Sequence, residues 1–139
     1  GTYIKRKSNL IFIGREKKVI DIDELKLCLN ETSSNLCLCG IDAKMIVDIK
    51  KEYPIGIIHK IYDYLEDILE ISFSSLKSIL FCVYEEKGVI QVNATVDANS
   101  NFKKLKKIYP SVEIEKDEDE LWYLTLKIKE GDYHEPESI

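Results

Sequence analysis

The hydrophobic pattern of this chain is organised around residues 54–73, PIGIIHKIYDYLEDILEISF, which carry its clearest helical period. At about 100° per residue, Ile57, Ile61, Tyr64, Leu65, Ile68, Leu69 and Ser72 fall on one arc. Lys60, Asp63, Asp67 and Glu70 fall on the opposite arc. Such a helix needs a second layer, because burying each large aliphatic stabilises by roughly 1.5–3 kcal/mol. Pro54 suits its first turn, where a missing N–H costs nothing. Glu66 and Glu70, one turn apart, stand where the polar arc borders the apolar one, so their side chains are expected to line a cleft.

The flanking patterns supply that layer. Residues 2–13 are basic and then apolar and stop at Gly14, as at the end of a helix that began upstream. Asp21 with Glu24 forms a capping-box variant, and Ile20 can staple onto Leu25. Leu25, Cys28, Leu29, Thr32, Leu36 and Cys39 then recur at helical spacing up to Gly40. Residues 41–49 alternate weakly as a strand through Met45, Val47 and Ile49, and 50–52 read as a turn. Residues 79–84 are apolar on both faces, the pattern of a strand buried on both sides. Residues 89–97 alternate, with Ile90, Val92, Ala94 and Val96 on one face, and 85–88 join the two strands as a hairpin.

A turn at 97–101 leads to a short lysine-rich helix over 102–109, stopped by Pro110. A second hairpin pairs 112–116 with 121–128, where Trp122, Leu124, Leu126 and Ile128 share a face. The order predicts an α+β fold, a two-layer sandwich with helices on one face of a mostly antiparallel mixed sheet. Residues 1–14 read as the end of an upstream helical element, 15–130 as the sandwich domain and 131–139 as a polar tail.

Composition narrows the function classes. A chain of 139 residues is one domain by length. A net charge of −5 argues against nucleic acid as a partner, since phosphate binding needs a positive surface. Cys28, Cys37, Cys39 and Cys82 lack both the paired knuckles of a zinc site and the spacing of a disulfide scaffold, so reduced, mostly buried thiols are expected. No apolar run reaches the roughly 20 residues of a membrane span, so no direct membrane contact is expected. The first residue is Gly rather than Met, which suggests a piece excised from something longer. His59 and His134 assemble neither a catalytic diad nor a metal site, and Cys82 has no evident base. Lys103, Lys104, Lys106 and Lys107 read either as a solvated face or as a phosphate clamp.

The element order, together with Glu66 on the long helix and Asp97-Ala98-Asn99-Ser100-Asn101 after the hairpin, resembles the ATP-binding catalytic domain of bacterial sensor histidine kinases, in the group shared with gyrase, Hsp90 and MutL. The resemblance implies that Glu66 matches the Glu of an E-x-x-x-N box, with Glu70 at the Asn position as the Mg2+ ligand. It implies that Asp97 opens the D-x-G-x-G turn against adenine, with Asn99 and Asn101 in place of its glycines, keeping a left-handed turn while their side chains obstruct close approach. Residues 98–111 leave no room for a mobile ATP lid, and no G-x-G occurs. The implied activity is phosphoryl transfer from Mg-ATP to a His on an absent upstream helical hairpin, with nucleotide binding weakened or lost. The alternative is a non-catalytic docking or dimer-regulating module on the same fold. The implied partners are the upstream dimerisation helices, a response regulator and a possible homodimer, and the implied location is the cytoplasm, or the cytosolic part of a membrane-anchored sensor.

Overall fold

A computed structural model of the chain describes residues 19–20, 22–49 and 53–129. Strand β1 (Val19–Ile20) leads into helix α1 (Ile22–Leu38), which buries Ile22, Leu25, Cys28, Leu29, Thr32 and Leu36. Leu25 to Leu36 keep the predicted stripe, whose last member Cys39 is instead exposed in the turn beyond the helix, and the chain leaves through Gly40 at φ +84, a conformation that costs glycine nothing. The Asp21 cap, the 2–13 helix end, the 50–52 turn and the 131–139 tail lie outside the described residues. Strand β2 (Asp42–Asp48) follows, then β3 (Tyr53–Pro54), which pairs antiparallel with β1. Helix α2 (Ile55–Ser72) begins one residue later than expected, because Pro54 is extended at ψ 142 and serves as the residue before the first turn.

Strands β4 (Ser78–Glu86) and β5 (Val89–Asp97) form the first hairpin. Its two-residue turn puts Lys87 at φ 53 and Gly88 at φ 78, the paired positive angles that match strand twist. A short 3-10 turn (Phe102–Lys104) runs into α3 (Leu105–Ile108), and β6 (Glu113–Lys116) and β7 (Trp122–Lys129) close the sheet. Asp117 organises that last turn by accepting from the N–H groups of Asp119 and Leu121, both at 2.9 Å, and from the Tyr123 hydroxyl at 2.7 Å. These bonds hold its carboxyl below the usual carboxylate range and raise the Tyr123 hydroxyl.

The five strands lie in the order β2-β4-β5-β7-β6. Only β2 and β4 run parallel, because α2 carries the chain across between them, and the other neighbours are antiparallel. One face of the sheet, with Ile79, Phe81, Val83, Ile90, Val92, Ala94, Val96, Leu124, Leu126 and Ile128, joins the buried residues of α1 and α2 in one core. This is the expected two-layer α+β sandwich.

Three details differ from the sequence reading. Helix α2 is buried well beyond its apolar arc: Ile58, Tyr62 and Glu66 are fully buried and Asp67 nearly so, because α1 and the segment after β5 cover its flanks. Strand β4 is buried on one face only; Leu80 remains 36% exposed, and Cys82 and Tyr84 are half-buried, since no described element covers that side. The thiols are not mostly buried. Cys28 is in the core and Cys82 half-buried, but Cys37 and Cys39 are exposed, on the outer side of α1 and in the turn beyond it. Burial raises the Cys82 thiol against the opposing charge of Lys44.

Leu65 and Ile68 are fully exposed to the core and closed to solvent at the seam between helix and sheet. Replacing either with Ala should cost about 2–5 kcal/mol, read as a lower urea midpoint with an unchanged slope; a loss below about 1 kcal/mol would place the seam elsewhere.

Candidate functional site

The corner where α2 meets the residues after β5 is the place to which the sequence assigns function. Ser75, just beyond α2, meets Ser100 through their hydroxyls at 2.9 Å, which ties the end of the helix to the 98–101 turn. One turn and a half earlier on α2, Asp67 accepts a hydrogen bond from the Tyr109 hydroxyl at 2.7 Å. The Tyr109 ring stands edge-on to Tyr64 at 5.3 Å, and Tyr64 in turn tilts against Phe81 of β4. Phe102, fully buried, packs edge-on against Trp122 at 5.3 Å. Residues 98–112 are therefore seated directly on α2 and the sheet, and the aromatic side chains occupy the space between them.

Burial raises all three tyrosine hydroxyls facing this core. For Tyr64 burial acts alone, and for Tyr109 the bond to Asp67 adds to it. For Tyr62 burial leads, the Thr32 bond opposes it, and the Glu66 carboxylate pushes the same way as burial. The Tyr62 and Thr32 hydroxyls are 3.2 Å apart across the seam between α1 and α2.

The candidate residues are not gathered at one point. Glu66 is fully buried and turned toward Tyr62 and the α1 side, whereas Glu70 is exposed. Strand alternation puts Asp97 in phase with Thr95 and Asn93 of the open face, while Val96 and Ala98 are the buried positions beside it. Asn99 and Asn101 are exposed. Neither is left-handed, since among the described residues only Lys87 and Glu120 have positive φ apart from glycine. Asn101 is extended at φ −101 and caps the next turn, its Oδ1 accepting from the Lys103 N–H at 3.0 Å. The expected left-handed turn is thus replaced by a side-chain cap. The four lysines of 103–107 point to solvent. Asp67 and Tyr109 were missed because a helical wheel counts Asp67 as solvated; a Tyr placed just before the Pro110 stop was the available signal.

The buried position at the corner is Ala98, which offers no carboxylate, and the ring of Tyr109 fills the flank of α2.

Known structures place this fold. AdeS, a histidine kinase of Acinetobacter baumannii, superposes with a TM-score of 0.58 at 6% identity, covering 91% of this chain and 76% of that one. The ATP-binding domain of PrrB from Mycobacterium tuberculosis gives 0.51 at 7% identity, over 80% of this chain and 95% of that one. The histidine kinase ThkA in complex with the response regulator protein TrrA gives 0.52 at 12% identity, over 92% of this chain and 49% of that one. No protein-family model matches the sequence, and no curated protein is similar to it. The fold is that of the catalytic, ATP-binding domain of histidine kinases, in a divergent form.

The two tyrosines of the corner make opposite forecasts. The Tyr109 hydroxyl serves a buried carboxylate, so Tyr109→Phe should lower stability by about 1–3 kcal/mol. The Tyr64 hydroxyl is buried with no hydrogen-bond partner among the described residues, so Tyr64→Phe should leave stability unchanged or raise it by up to about 2 kcal/mol. Chemical denaturation of both variants checks the contrast. Raised hydroxyls also set a sign: their contribution is complete below about pH 10 and is lost as pH rises through the folded values. Tyrosinate absorbance should therefore show Tyr62, Tyr64 and Tyr109 ionising only with alkaline unfolding.

Proposed function

We propose that this chain is the ATP-binding-type domain of a sensor histidine kinase whose own side chains have closed the nucleotide crevice, leaving ATP binding weak or lost. The observation that carries this reading is the Tyr109–Asp67 bond of 2.7 Å, which holds residues 98–112 down on α2 where a nucleotide would enter. The surroundings agree with it: Ala98 is the buried residue at the corner, and Asp97 lies in the phase of the opposite face. The parent protein would carry the phospho-accepting helical hairpin upstream and answer to a response regulator, as ThkA is found with TrrA. Within it, this domain acts as a docking or dimer-regulating module in the cytosolic part of the sensor. Among the described residues no helix is long and apolar enough to cross a membrane.

If the crevice were open, Glu66, Glu70, Asp97, Asn99 and Asn101 would be the residues to contact ATP, with Glu70 on Mg2+. Thermal melts with millimolar Mg-ATP separate the two cases, because any ligand that binds the native state raises its stability by mass action. The expected result is an unchanged melting temperature for the wild type and for Asp97→Asn. A rise that disappears in Asp97→Asn would establish a working nucleotide site instead.

A further inference from the structure

The open face of the sheet carries apolar side chains that the core of the fold does not bury. Leu80 is 36% exposed there, diagonal to Ile46 at 42%, with Tyr123 at 38% two strands away across Thr95. An antiparallel sheet with one solvated face ordinarily keeps that face polar, and grouped exposed apolar side chains mark a contact surface. The double-faced apolar pattern of β4 thus finds a use that the packing within one chain does not give it.

Cross-strand register shows how the face is laid out. Lys44, Leu80, Thr95, Tyr123 and Glu115 stand in one row from β2 to β6. Read inward from either end the row gives charge, apolar, hydroxyl, and the two end charges are opposite. A second copy turned about a two-fold axis parallel to β5 would set Leu80 on the second copy's Tyr123 and Lys44 on its Glu115, each contact occurring twice. The row at the hairpin end obeys the same rule, since Glu86, Val89 and Lys129 are aligned and Glu86 meets the second copy's Lys129. Of the two rows between, one sets Tyr84 against the second copy's Lys127, a cation against an aromatic ring, and the other sets Cys82 against its Thr125 and Ile46 against its Glu113.

We propose that this face binds a second copy of the chain, sheet against sheet, with the two-fold axis along β5. Two such faces pack in the aligned manner usual for stacked sheets, about 10 Å apart. Five strands and about seven residues give a footprint of roughly 24 by 23 Å on each copy, or roughly 1,100 Å² for the pair, which reaches the roughly 1,000 Å² of a specific interface. The interface does not involve the crevice between α2 and residues 98–112, so it stands whether or not nucleotide binds.

Sedimentation of the full chain from micromolar to millimolar concentration tests it. The wild type should dimerise, and Leu80→Asp should abolish the dimer. Lys44→Glu should weaken it about tenfold by setting like charges together at both symmetric sites, and adding Glu115→Lys should restore it. Circular dichroism melts confirm that these surface variants fold. A wild type that stays monomeric, a dimer indifferent to Leu80→Asp, or a charge reversal that the double variant does not rescue would overturn the proposal. So would binding at this face of an upstream segment of a longer parent chain in place of the second copy.

Discussion

Everything in this molecule follows from how completely α2 is enclosed. A helix that rests on a sheet by one stripe can leave its polar side chains in water, but α2 is covered on its flanks as well, so Glu66 and Asp67 lose access to solvent. A buried carboxylate needs hydrogen bonds from within the protein. Tyr62, itself bonded to Thr32 of α1, faces Glu66, and Tyr109 donates to Asp67 on the other side. The polar groups that close the seams of α2 are therefore the same ones that fix where α1 and residues 98–112 sit.

Most of the architecture was legible in the sequence because it rests on period alone. The alternation of Ile90, Val92, Ala94 and Val96, the shared face of Leu124, Leu126 and Ile128, and the stop at Gly40 each reflect one local rule. What could not be read was anything set by a partner distant in the chain. Asp67 looks solvated on a wheel, and the bond from Tyr109, far along the sequence, changes that. Glu66 was expected to edge a cleft and instead is fully buried beside Tyr62. The facing of Asp97 hung on strand phase: Val96 and Ala98 claim the core side, so the aspartate between them falls to the other.

A fold and a site rest on different numbers of residues. The sheet order and the crossover through α2 depend on the many aliphatic positions of one core, which many sequences can supply, and identity to the superposed kinases is as low as 6%. A nucleotide site depends on a few groups at one corner. At that corner stand Ala98, buried, and the ring of Tyr109 against Tyr64.

The lone parallel pairing in the sheet bears on how the chain reaches this state. Strands β4, β5 and β7 can zip through antiparallel contacts, but β2 must find β4 across the whole of α2, with Asp42 set beside Ser78. Closing that span costs entropy before any ladder bond repays it. Pairing of β2 with β4 therefore carries a closure cost that the β4–β5 hairpin, joined by a two-residue turn, does not.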